Sequence, residues 1–455
     1  MKRALFFFLL WLVPFSSFAE GGETLKILQD LIRIDTSNPP GNEIQAARFV
    51  RDLLAKDGID AEIIESKPGR GNLIARLKGD GSKPAMILMG HLDVVPADPK
   101  EWDVPPFSAE IKDGLLWGRG SLDMKSLDAM EIETLLRLKR DKTPLAGDVL
   151  LILAADEEAG GHEGAEFLVK NHWDKIEAKY LLNEGSVGVR KEGLPIYPIQ
   201  VAEKGVAWMK LTAHGTSGHG SMPTADNAVT LLAKTVAKLA DYRFPVQKTD
   251  VLETFLQRMS ARLPWYKRAG IQLLFAPVIG PVVQKIAMKV LAKDKAVKAI
   301  LSNTVSPTML SAGYKVNVIP AEATAEIDGR ILPGETPDTF LKTVRQLAGD
   351  RVDVELTKGS IPNESDFNTA YFRVIEDVLK RQDPEAVTAP MMSAGATDSR
   401  FFREKGVLAY GIIPLLLNED LLEGLHGKNE RIPADQVEKG TQIVYNIVRK
   451  MQGTP

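Results

Sequence analysis

Apolar positions recur at helical spacing over residues 23–34 and 42–56, the second stretch ending at Gly58. Residues 59–65 and 72–77 read as strands. Three further runs, Ala85 to Met89, Val149 to Ala154 and Tyr180 to Leu182, are short and almost unbroken in apolar character. Helical patterns at Leu127 to Lys139 and Gly164 to Lys170 separate them. A strand without polar alternation needs cover on both faces, so this order predicts an α/β fold with a mainly parallel central sheet.

The pattern changes near Glu203. Val206 to Ala213 alternates like a half-exposed strand, and Asn227 to Ala240 reads as a helix. Strand-like stretches at 308–312 and 321–331, a helix at 337–347 and a strand at 352–357 follow. That β-α-β-β-α-β order predicts a small α+β sandwich over 203–359, inserted into a larger domain of 22–202 and 360–455. From about Gly359 the first texture returns, with a strand at 407–412 and a last helix at 435–451. Residues 251–303 do not fit the sandwich, being rich in Leu, Met, Val and Lys. Gln272, Gly280, Pro281, Gln284 and Lys285 interrupt their most apolar part, which argues against a membrane span. A helical hairpin elaborating the small domain is the expectation.

The N-terminus has its own pattern. Lys2 and Arg3 precede the apolar run Ala4 to Val13, then Pro14 and Ser17-Phe18-Ala19. A charged start, a short apolar centre and a small-x-small end describe a signal peptide over 1–19, cleaved near Ala19. Export to the periplasm or secretion is expected. The chain has no cysteine, so disulfides and a lipid-attached cysteine are excluded, and any metal must be held by His and carboxylates. Its net charge of −3 becomes −5 without Lys2 and Arg3, which gives no basic face for a nucleic acid.

The chemistry-bearing residues follow the apolar strands directly. Gly90-His91-Leu92-Asp93 comes after the first, Asp156-Glu157-Glu158 after the second, and Asn183-Glu184 after the third. In an open parallel sheet these strand ends share one edge, where ligands bind. Asp123 adds a carboxylate from a glycine-rich turn, Gly118 to Asp123, and His426 lies in a loop beyond the last strand. So many acids in one crevice repel one another unless cations are present. Two His and three or four carboxylates suit two divalent ions.

These segments resemble the M20 metallopeptidases, which include aminoacylases, carboxypeptidases and dipeptidases. The resemblance rests on Gly90 to Asp93, Trp117 to Lys125, Asp156 to Glu158, Gly218-His219-Gly220-Ser221-Met222-Pro223 and Asn317-Val318-Ile319-Pro320, in order along nearly the whole mature chain. The long insertion and Asn183-Glu184-Gly185 resemble the carboxypeptidase S and N-acyl-amino-acid hydrolase branch. The resemblance implies a di-metal catalytic domain with an inserted lid and dimerisation domain. It implies Asp123 as a bridging ligand, His91 and Glu184 on one metal, and Glu158 and His426 on the other. Asp93 would orient His91, and Glu157 would be the general base. His219 would stabilise the oxyanion, often across a homodimer interface. Arg330 and Asn317 would bind substrate, Arg330 gripping a carboxylate with its planar fork, and Gly395 would contact substrate through its backbone.

The function so implied is hydrolysis of an amide or peptide bond next to a free amino-acid carboxylate, with zinc as metal and cobalt or manganese as alternatives. The substrate would be a small molecule: an N-acyl amino acid, a dipeptide or a peptide C-terminus. A dipeptidase is one alternative, and a solute-binding protein that kept the fold and lost catalysis is another. On the branch resemblance, the 251–303 insertion would offer long acyl chains an apolar groove near the metals. His162, His172 and His214 match no family position and read as structural or surface residues.

Overall fold

The structure is a computed structural model that describes residues 22–191, 193–276 and 295–453. The expected signal peptide and part of the insertion lie outside these residues.

A nine-stranded sheet forms the larger unit. Its strands are β1 (Ala61–Glu65), β2 (Gly71–Leu77), β3 (Met86–His91), β4 (Val149–Ala154), β5 (Tyr180–Lys191) and β6 (Leu194–Glu203). β11 (Val387–Ser393), β12 (Leu408–Asn418) and a two-residue strand, Asn363–Glu364, complete it. At its centre β4, β3, β5 and β12 run parallel, as the apolar runs predict. Every residue of β3 and β4 is buried, because both faces are covered. On one face Leu88, Leu151 and Leu182 join a core with the helices Glu23–Arg33, Glu43–Lys56, Lys125–Arg140 and Ala434–Gln452. On the other, Ile87, Leu150, Ile152 and Leu181 pack with Leu168 and Phe402.

The margins differ from a parallel sheet. β1 and β2 are joined through a turn closed by the Ser66 N–H donating to the Arg70 carbonyl, too short a link for anything but an antiparallel pair. β5 continues well past Leu182 and turns back antiparallel into β6, with Lys191 opposite Leu194. The apolar pattern does not announce β6 or β11. Pro195, Pro198 and Pro390 interrupt them, and proline is tolerated mainly where a strand needs no ladder donor.

The smaller unit has the expected β-α-β-β-α-β order. β7 (Gly205–His214), β8 (Thr304–Ala312), β9 (Glu322–Ile331) and β10 (Val352–Gly359) form an antiparallel sheet ordered β8-β9-β7-β10. Alternation in β7 sends Ala207, Met209, Leu211 and Ala213 into a separate core with Leu232 and Phe340 of two helices. Val206, Trp208 and Arg330 therefore belong to the opposite face.

The described part of the insertion does not elaborate this small core. Helix Asp250–Ser260, capped by the Thr249 hydroxyl, buries Val251, Leu252 and Leu256 in the core of the large unit and packs against β11. Arg258 donates to Glu376, and Arg262 donates to the Glu385 carbonyl at 3.0 Å. Apolar helix faces carry no address, and β11 offers an edge that needs cover. Helix Trp265–Leu273 follows with no buried residue. Arg262, three residues before it, reaches Glu385 just before β11, whereas Gly395 lies just after that strand, and seven strand residues span about 23 Å. These two helices give an acyl groove beside the metals no support, and residues 277–294, on which that expectation also rests, lie outside the described residues.

Candidate metal centre and substrate cleft

The three strand ends converge as their order predicts. His91 ends β3, Glu157 and Glu158 sit on a short turn after β4, and Glu184 lies within β5 where the chain leaves the sheet centre. Asp123 reaches them from the turn before helix Lys125–Arg140, and His426 from the loop after β12. The His91 Nε2 is 3.2 Å from Asp123 Oδ1 and 3.7 Å from Glu184 Oε1. The His426 Nε2 is 2.9 Å from Asp123 Oδ2 and 3.2 Å from Glu158 Oε2. Two triads thus share Asp123, each able to gather three ligand atoms within 4.8 Å of one another. In the Glu158 carboxylate, Oε1 is buried and without a hydrogen-bond partner, a donor atom in want of a cation.

The electrostatics carry the same demand. Burial, with Asp123 next, pushes the Glu184 carboxyl well above its ordinary range. Burial and Glu184 do the same to Glu157. Burial works against charge on His91, yet Asp123 and Asp93 hold it well up. His426 is pushed up to about 10 by Asp123 and Glu158. Each group here is short of positive charge, and the donor set of two imidazoles and three carboxylates suits two divalent ions.

Asp93 is fully buried and organises the turn opposite. Its carboxylate accepts from the backbone N–H of Glu157 and of Glu158, each at 3.1 Å, and from the Asn38 amide at 2.8 Å. Its backbone carbonyl lies 3.0 Å from His91 Nδ1. The turn starts from Asp156 in a left-handed conformation, φ +71°. Arg70 and the Glu163 N–H hold the Asp156 carboxylate at 2.7 and 3.0 Å.

Several positioning residues carry no motif. Glu430 is completely buried and accepts from the backbone N–H of Gly120, Leu122 and Asp123 at 3.0, 2.6 and 3.1 Å while pairing with Arg119 at 2.5 Å. Glu203 accepts from the Thr397 N–H and hydroxyl at 3.1 and 2.7 Å and from Arg403 at 2.8 Å, fixing the loop that contains Gly395. Asp398, in the segment Gly395-Ala396-Thr397-Asp398, is buried, and burial pushes its carboxyl up to about 7. Glu430 acts mainly on backbone N–H groups of an irregular turn, Asn38 on the carboxylates of Asp93 and Asp156, and Glu203 on Thr397 and Arg403, all far apart in sequence, so no periodicity marks them. Asp398 follows a segment whose glycine the sequence singles out, and its acidity was the available signal.

A cleft of about 1150 Å³ opens beside the triads, lined by Glu157, Glu158, His426, Gly395, Arg330 and Trp208 among others. Arg330 is held by Asp328 through two contacts of 2.8 and 3.1 Å. His162, without a family counterpart, also lines the cleft and pairs with Glu166. His219 and Asn317 are not in it. They neighbour each other, the Gly220 N–H donating to the Asn317 carbonyl at 2.9 Å, where His219 pairs with Val318. That place lies beyond the His214 end of β7, while Arg330 faces Val206 at the other end, some 30 Å away along the strand. Among the described residues no helix is long and apolar enough to cross a membrane.

Residues 87–450 match the family model described as peptidase family M20/M25/M40. The chain is 28% identical over 384 residues to the Homo sapiens N-fatty-acyl-amino acid synthase/hydrolase PM20D1, covering 81% of this chain and 75% of that protein. It is 26% identical over 441 residues to aminoacylase-1 of Mus musculus, covering 95% and 96%. Its fold is similar to that of the M20 family metallo-carboxypeptidase Sso-CP2 from Sulfolobus solfataricus, with a TM-score of 0.72 at 20% identity over 94% of this chain and 99% of that one. With that match over most of its length and this donor set at its strand ends, the chain belongs to peptidase family M20/M25/M40 and is a hydrolase of that family.

Proposed function

We propose that the protein hydrolyses the amide bond of N-acyl amino acids. The observation that carries this is the pair of triads sharing Asp123, with Glu157 beside them and Arg330 across the same cleft. His91, Asp123 and Glu184 would hold one divalent ion, and Asp123, Glu158 and His426 the other. When bound, two such ions would supply Lewis acidity to the scissile carbonyl and to the attacking water. Glu157, belonging to neither triad, takes the proton from that water and returns it to the departing nitrogen. Asp93 keeps Glu157 and Glu158 at fixed depth through their backbone. Arg330 grips the free carboxylate, and the Gly395 backbone, steadied by Glu203, meets the substrate between. The two relatives, an N-fatty-acyl-amino acid synthase/hydrolase and an aminoacylase, support the choice of substrate. Zinc suits the ligands, with cobalt or manganese as substitutes.

His219 and Asn317 would serve a neighbouring subunit in a homodimer. β8 is the edge of its sheet, and Met309, Leu310, Tyr314 and Val316 are exposed on and beyond it. A free apolar edge suits association. Residues 1–19 would direct export and be removed. The test is zinc-loaded protein with a panel of N-acyl amino acids and dipeptides, reading free amino acid. Release from N-acyl amino acids, abolished by a chelator, supports the proposal. Release from dipeptides alone overturns it.

A further inference from the structure

We infer that Trp208, with Val206 and Ile361, forms the subsite for the amino-acid side chain of the substrate, and that this subsite selects large apolar side chains. The inference rests on the reading of Arg330 as the carboxylate anchor. Trp208 does not serve the core of its own sheet. Its neighbours Ala207 and Met209 are fully buried on the helical face, while the indole is 39% exposed on the other, in the cleft that contains Glu157. Ile361, 69% exposed, and Pro362 continue that apolar wall where the chain returns to the large unit.

The strand register places this wall relative to the anchor. Arg330 of β9 lies opposite Val206, and Asp328 lies opposite Trp208. Arg330 and Trp208 are thus diagonal neighbours on one sheet face, within reach of long side chains. On the other flank Lys358 of β10 lies opposite Trp208, and its Nζ stands 5.1 Å from the indole centroid. The same Nζ is 3.7 Å from where a Cβ on Gly160 would stand, on the turn that carries Glu157 and Glu158. The indole is therefore positioned between the carboxylate anchor and the catalytic turn.

Stereochemistry completes the argument. The α-carbon of the substrate bears a carboxylate, the scissile nitrogen and a side chain. With the carboxylate on Arg330 and the nitrogen toward Glu157, the side chain is directed along the wall between them. An indole flanked by an aliphatic residue and proline rewards apolar and aromatic groups. The Lys358 ammonium beside it repels a cationic side chain.

The experiment compares kcat/KM for N-acetyl derivatives of Phe, Leu, Gly and Lys in the zinc-loaded wild type, Trp208→Ala and Trp208→Phe. In the wild type, Phe and Leu should exceed Gly by roughly 10- to 100-fold, with Lys far below them. Trp208→Ala should bring the Phe-to-Gly ratio close to one, mostly through KM, because the contact exists before as well as during reaction. Trp208→Phe should restore most of the ratio, which a folding defect would not explain. A Phe-to-Gly ratio unchanged in an active Trp208→Ala overturns the assignment and leaves the reaction standing. A change confined to an N-acetyl to N-dodecanoyl series would overturn it too, placing the indole under the acyl chain. Failure of the wild type to hydrolyse any of these substrates removes the proposed reaction and this subsite together.

Discussion

The carboxylate of Asp93, two residues beyond His91, accepts the backbone N–H of Glu157 at 3.1 Å across the strand ends. One acid thereby couples both halves of the site: its carbonyl faces His91 Nδ1, and its carboxylate fixes the turn carrying Glu157 and Glu158. Asp93→Asn keeps the size but replaces one acceptor with a donor, which must oppose an N–H or the imidazole. Metal retention should fall about 10- to 100-fold. Competition with a chelator measures this, and wild-type retention would show that the turn does not depend on Asp93.

Asp123 belongs to both triads and His426 to one. Asp123→Ala should therefore empty or scramble both positions, whereas His426→Ala should weaken mainly one. Elemental analysis of purified variants distinguishes these outcomes. Two tightly held ions in Asp123→Ala would rule out a shared ligand.

Arg330 faces the cleft with its guanidinium oriented by Asp328. Arg330→Ala should harm N-acyl amino acids far more than their amides, by roughly 2–5 kcal/mol in transition-state binding. Parallel kcat/KM series on acid and amide give the comparison. Equal losses would remove Arg330 from carboxylate recognition.

Glu131, fully buried on the helix Lys125–Arg140, is pushed well above the ordinary glutamate range by burial and then by Asp128. The folded protein thus keeps a proton that the unfolded chain releases. The resulting stability is fully present below about pH 4.3, the unfolded value, and is lost as pH rises toward the folded one. Glu131→Gln cannot ionise, so its Tm should decline less than that of the wild type between pH 5 and 9. Parallel declines would contradict a buried neutral acid at this position.

The strand ends were legible because His91 and Glu157 stand directly after unbroken apolar runs, and burial on both faces imposes that pattern. The small unit was legible for a different reason, since burial on one face only imposes the alternation of β7. Helix Asp250–Ser260 declared its apolar face but not its partner, and it covers β11, a strand that Pro390 hides from the pattern. The same limit applies to Glu430 and Asn38, which act through contacts between remote, irregular segments. His219 and Asn317 were identified by resemblance, and their distance from the cleft became visible only through the strand register.

The central claim is that Glu157 moves the proton while other residues hold the ions. Glu157→Gln, measured for bound metal and for kcat on one N-acyl amino acid, tests it most directly. Two ions per chain with kcat lower by roughly 10²–10⁴-fold is the result the account predicts. Near-normal turnover, or loss of both ions, would contradict it.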